Sequence, residues 1–159
     1  MQVKSRHHLR SDAVSELETA LEDHLGVSPE GDTYELVEFE DTDWEVVLID
    51  GEPRVAYFDE EPFPTVRGAN AYEPDKRLVT VDAGAVSFVS DGADVMRPGI
   101  TEATDDISPD DLVVIAEESH GKVLAVGRAR VDGSDMVGDD GKVVDSLHHV
   151  GDELYEFTG

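Results

Sequence analysis

No uninterrupted apolar run in this chain exceeds a few residues, and that brevity limits its folds more than any other feature. Among the longest are Val46-Val47-Leu48-Ile49 and Leu112-Val113-Val114-Ile115-Ala116. A membrane-spanning helix needs roughly 18 apolar residues in a row, so no membrane partner is expected. Turn-forming stretches bracket the short runs: DTD before Trp44, DGEP after Ile49, ESHGK after Ala116-Glu117 and DDGK before Val143. A chain punctuated in this way builds sheets from short strands.

One segment departs from that pattern. Val14, Leu17, Leu21 and Leu25 recur at spacings of three and four, giving one apolar face of a helix. Ser11 can cap it and Asp12 suits its first turn, while Gly26 and Pro29 end it. Strand patterns follow over Thr33 to Phe39, Trp44 to Ile49 and Arg54 to Phe58. This half therefore reads as a helix on an antiparallel sheet. From Glu60 to Lys76 the sequence carries Pro62, Pro64, Gly68 and Pro74 with little periodicity, and reads as a linker or crossing. Beyond it come strands at Leu78 to Val81, Val95 to Arg97, Leu112 to Glu117 and Val123 to Val131, with Gly127 marking a bulge. A short helix lies in GAVSFVSD, and Lys142 to Val150 with Glu153 to Phe157 close the unit. Short strands at regular spacing with one short helix suggest a small barrel. The expectation is an α+β chain of two domains, residues 1–75 and 76–159.

The charge is extreme: 38 Asp and Glu stand against 12 Lys and Arg, a formal net charge of −26. Such a charge destabilises a compact body by self-repulsion. Disorder is a poor explanation, because patterned apolar segments run throughout. Mimicry of nucleic acid toward a basic protein is one reading. Adaptation to a salt-rich cytoplasm is the other, since near 1 M salt the Debye length shrinks to about 3 Å. The acids are scattered over every segment, and the only lysines are Lys4, Lys76, Lys122 and Lys142. Both facts favour a halophilic origin. The absence of cysteine excludes a disulfide framework, and the start lacks the apolar stretch of a secretory signal, so the expected location is cytoplasmic. The opening MQVKSRHHLR is the exception to the acidity: it holds Lys4, Arg6 and Arg10 and no acid.

The stretch VDAGAVSFVSDGADVMRPGI, Val81 to Ile100, resembles the opening of a PUA domain, the RNA-binding module named for pseudouridine synthases and archaeosine transglycosylases. The matching positions are Asp82, Gly84, Ala85, Gly92, Ala93, Asp94, Val95, Met96, Pro98, Gly99 and Ile100. LAVGRARV and LHHVGDELYEF look like later parts of the same domain. PFPTVR and the terminal HHVGDELY resemble one subfamily, the MCTS (malignant-T-cell-amplified sequence) group and its archaeal relatives; Tyr155 stands where that group has Trp. The resemblance implies a C-terminal PUA-type pseudobarrel after the N-terminal domain. It also implies work in translation, with a density-regulated-type factor or the small ribosomal subunit as partner.

The same resemblance places an RNA groove between the short helix and adjoining strands. Gly84 and Gly92, lacking Cβ, would let the backbone approach the ligand, and the N–H groups at the helix entry after Gly84, at Ala85, would suit phosphate. Met96 would line the groove. Arg97 would meet phosphate or stack on a base. Arg128 shares a strand face with Arg130. His148 is a packing or base-stacking residue, and Lys4, Arg6 and Arg10 form a phosphate-facing patch. No catalytic role is expected: there is no phosphate loop or dinucleotide fingerprint, and Ser119-His120 adjacency is not a triad. No metal or cofactor is expected either, since adjacent histidines such as His7-His8 point to opposite strand faces. The sequence thus reads as a non-enzymatic RNA-binding protein acting on tRNA or small-subunit rRNA in translation. An accessory subunit for an archaeosine or pseudouridine modification enzyme is the alternative, and an acidic adaptor for a basic ribosomal protein a third.

Overall fold

Helix α1, Ser11–Leu25, forms where the three-and-four spacing placed it, in a computed structural model that describes all residues from Met1 to Gly159. Leu17, Leu21 and Leu25 are buried, and truncating any of them to Ala costs about 2–5 kcal/mol. Ser11 is the first helical residue and not the cap. Arg10 occupies the cap position without a side-chain hydrogen bond. At the other end Gly26 turns left-handed (φ 67) and its N–H donates to the Glu22 carbonyl.

The sheet of the first unit has five strands in sequential order, all antiparallel: β1 (Val3–His8), β2 (Tyr34–Phe39), β3 (Glu45–Ile49), β4 (Glu52–Phe58) and β5 (Glu61–Pro64). Two of these strands had no sequence signature. β1 lacks apolar alternation because it is an exposed edge paired only with β2. β5 carries Pro62 and Pro64, which a ladder tolerates because β5 is the opposite edge. Of the two readings of this stretch, linker or crossing, the structured one holds. It continues into α2 (Val66–Tyr72), capped by Thr65, whose hydroxyl accepts from the Gly68 N–H at 3.0 Å.

The chain divides into two compact units, residues 1–73 with 153–159, and residues 74–152. The closing segment does not belong where the sequence reading put it. Glu153–Glu156 forms a short helix, α4, of the first unit. There Phe157 meets Phe39 edge-on, with centroids 5.0 Å apart. The Arg67 guanidinium lies 4.2 Å over the Tyr155 ring, and its Nε donates to the Tyr155 carbonyl.

The second unit has six strands: β6 (Leu78–Val81), β7 (Val95–Met96), β8 (Ile100–Ala103), β9 (Leu112–Glu117), β10 (Val123–Ala129) and β11 (Lys142–His149). Their order is β7-β11-β10-β9-β6-β8, antiparallel except where β6 runs parallel to β9. The edge strands β7 and β8 are separated along the chain only by a tight 3-10 turn, Arg97–Gly99, so the sheet is a nearly closed pseudobarrel. Val79, Val81, Val113, Ile115, Met136 and Val143 fill its core. The register shifts between Val126 and Gly127, where the bulge was expected. Helix α3 (Val86–Ser90) packs Val89 into that core. No helix is long and apolar enough to cross a membrane.

Candidate RNA-binding groove

Within the second unit a groove of about 390 Å³ runs between α3, β7 and the 3-10 turn. Gly84, Ala85 and Met96, three of the residues singled out in the sequence, line it together. Phe88, Val89 and Pro98 complete an apolar surface, and Asp82 and Asp94 supply the charge. Phe88 is 66% exposed and Met96 48%, so two large apolar side chains of the groove stand side by side toward solvent. Sequence reasoning passed over Phe88, although its register held the signal. Val86 and Val89 are three apart and pack inward, so Phe88 falls on the other face of α3.

The electrostatics differ from the expected phosphate site. The Ala85 N–H, counted on to meet phosphate, donates to the Asp82 carboxylate and carbonyl, both at 3.1 Å. α3 is only five residues long, and no cation lines the groove. Asp94 accepts from the Ser146 N–H at 2.8 Å and from Lys142 Nζ at 3.2 Å, which ties the groove floor to β11. Beside it, hydrogen bonds from Arg130 and then Lys142 hold the Asp145 carboxyl below its ordinary range. Walls that are apolar, with carboxylates already bonded, suit a base or sugar face better than a phosphate oxygen.

Three expected contacts are placed differently. His148 is 0% exposed, and its Nδ1 lies 2.9 Å from the Asp152 carboxylate, so it is a structural residue and no stacking surface. His149 takes the other side of β11, with Nδ1 3.0 Å from the Ser90 carbonyl. The Arg97 guanidinium points out of the groove, donating to the carbonyls of Asp135 and Asp140. Arg128 donates to the Asp110 carbonyl at 2.7 Å.

Lys4, Arg6 and Arg10 belong to the first unit, on and just after β1. Arg6 makes a two-pronged contact with Glu35, 3.0 Å on each side, and this hydrogen bonding lowers the Glu35 pKa. Arg10 is exposed and loosely paired with Asp12 at 3.3 Å, and Lys4 is exposed. Nearby, His7, His8, Arg10 and Tyr57 line a shallow cleft of about 350 Å³.

A nearly closed barrel with a short helix over an apolar, glycine-edged groove is a PUA domain, and residues 77–151 match that domain family. Over its whole length the chain is 36% identical to an uncharacterised protein of Methanocaldococcus jannaschii, covering all of both chains. It is 30% identical to translation machinery-associated protein 20 of Saccharomyces cerevisiae, over 82% of this chain and 75% of that one. It is also 30% identical to malignant T-cell-amplified sequence 1 of rat, although it spans only 64% of that protein's length. The chain belongs to this family of translation machinery-associated and malignant T-cell-amplified sequence proteins. The crystal structure of a hypothetical protein from Pyrococcus horikoshii superposes with a TM-score of 0.88 at 30% identity, covering 98% of this chain and all of that one.

Proposed function

We infer that this protein is a non-enzymatic, cytoplasmic RNA-binding factor of translation, acting on tRNA or small-subunit rRNA in initiation or recycling. The observation that carries the reading is the exposed apolar groove of Phe88, Met96, Gly84 and Ala85 in a PUA domain. Membership in a family named for the translation machinery supports the setting. Stacking and close backbone approach supply the affinity there, and they survive the high salt in which phosphate attraction fades. Lys4 and Arg10, exposed on the first unit, are the cations best placed for additional backbone contacts; Arg6 and Arg128 would first have to leave Glu35 and the Asp110 carbonyl. A density-regulated-type factor or the small ribosomal subunit is the partner that fits.

The test is crosslinking in cell extract at high salt, followed by sequencing of the attached RNA. Enrichment of tRNA or small-subunit rRNA is expected. Recovery of neither, with co-purification of an RNA-modifying enzyme, would replace this reading with that of an accessory subunit. Reversing Lys4, Arg6 and Arg10 to Glu should weaken binding to purified tRNA by about tenfold at 0.2 M salt. Unchanged affinity would remove the basic start from the interface.

A further inference from the structure

Arg97 sits between Met96 and Pro98, which both line the groove, yet its side chain leaves the groove altogether. Its guanidinium spans the segment from Asp135 to Gly141. Nε donates to the Asp135 carbonyl at 2.9 Å, Nη1 to the Asp140 carbonyl at 3.1 Å and Nη2 to the Asp135 carboxylate at 3.1 Å. Its main-chain N–H donates to the Gly141 carbonyl at 2.8 Å. The segment is moulded around the side chain. A Cβ on Gly138 would stand 2.9 Å from Arg97 Cδ, and one on Gly141 would stand 2.8 Å from Nη1. Met136, at the start of the segment, is fully buried in the barrel core, so the segment is itself anchored.

The strand this clamp holds is the shortest of the second unit. β7 has two residues and pairs only with β11, through Met96 opposite Lys142 and Val95 opposite Val144. Beyond it the chain runs through the 3-10 turn that carries Pro98 and Gly99. The geometry points to Arg97 as a positioning residue for the groove: it fixes the Met96–Gly99 wall by clamping β7 to the 135–141 segment, and does not itself bind phosphate. This rests on the RNA-binding reading of the same groove. A planar guanidinium can satisfy two carbonyls and a carboxylate in three directions, which a lysine ammonium on a flexible stem does poorly. Turning it toward a phosphate would exchange three made bonds for new ones, so little is gained.

The two roles predict opposite results. Unfractionated tRNA is titrated with the full-length protein and its Arg97→Ala, Arg97→Lys and Asp135→Asn variants over a series of KCl concentrations. Amide hydrogen exchange of residues 135–141 is followed in the same samples. As a clamp, Arg97→Ala and Asp135→Asn each weaken binding, by about fivefold for the alanine. The salt slope stays that of the wild type, lysine does not rescue, and exchange in the segment accelerates. As a phosphate contact, Arg97→Ala lowers the slope by about 0.7–0.9, lysine largely rescues, and Asp135→Asn strengthens binding by removing a competing carboxylate. That second pattern overturns the proposal, as does unaltered exchange in Arg97→Ala. Asp135→Asn is a mild surface change, so the sign of its effect decides the matter even if the alanine variant folds poorly. Failure of the wild type to bind any RNA would strike at the RNA reading itself, whereas unaltered exchange strikes at the clamp alone.

Discussion

Two glycines of the PUA motif serve different ends, and the difference is measurable. A Cβ on Gly92 would lie 2.7 Å from His149 Nε2, and its φ of +95 is one that L side chains rarely adopt. Gly92→Ala should therefore lower stability by about 1–3 kcal/mol, read as a fall in thermal midpoint. A Cβ on Gly84 would meet only the Asp82 carboxylate, at 3.4 Å, in ordinary contact, and it would project at the groove. Gly84→Ala should leave the midpoint almost unmoved while weakening RNA binding. A stable Gly84→Ala protein with full affinity would show that the backbone at Gly84 does not approach RNA. The sequence made these positions legible as a motif. It could not sort them, because the sorting depends on His149, far along the chain on β11. The placement of Arg97 was illegible for the same reason: its partners lie at Asp135 and Asp140, and nothing local to the sequence predicts where a long cation turns. For His148 packing and base stacking both stood open, and its burial favours packing. Of two adjacent histidines on a strand one must face inward, and only the register decides which.

At the level of elements, legibility followed the apolar period. α1, β2, β3, β4, β6, β9 and β10 each bury a patterned set and were readable within a few residues. β1 and β5 were not, since edge strands need neither alternation nor freedom from proline. β8 follows Pro98-Gly99 as Ile-Thr-Glu-Ala and shows only one buried residue, too little for a pattern. α3 illustrates how one short element serves both core and site. Val89 is buried and Phe88 points outward at the groove. Val89→Ala should destabilise by about 1–3 kcal/mol, a cavity effect. Phe88→Ala should cost little stability, because the ring is mostly in water already. Its loss should weaken RNA binding by about 1–3 kcal/mol, the worth of stacking one base, with Phe88→Tyr retaining most of it. Equal affinity of Phe88→Ala and wild type in a tRNA titration would remove stacking from the account of the groove.

For the whole molecule, the question is how a chain of net charge −26 stays folded. Its cations are largely engaged internally: Arg6 with Glu35, Arg77 with Asp111, Arg97 with Asp135, Arg130 with Asp145 and Lys142 with Asp94. These pairs neutralise a minority of the acids, and the remainder repel one another across the surface. At 0.1 M salt the Debye length is about 10 Å, which reaches the next carboxylates; near 1 M it is about 3 Å, which does not. Screening also weakens the ion pairs, but exposed pairs are worth only about 0–1 kcal/mol each, so relief of repulsion dominates. The thermal midpoint should therefore climb between 0.1 and 2 M KCl, by about 2–4 °C for each kcal/mol gained. Chloride is the right anion for the test, because sulfate would stabilise any protein by exclusion from its surface. The same internal pairing leaves few cations for phosphate. RNA affinity should accordingly fall only shallowly over that salt range, unlike a protein neutralising six or more phosphates, which loses about three orders of magnitude or more between 50 and 200 mM. A flat or falling midpoint would separate the acidity from the solvent and favour a basic protein partner for the acidic surface. A rising midpoint with shallow RNA dependence would join the charge, the paired cations and the apolar groove in one adaptation to salt.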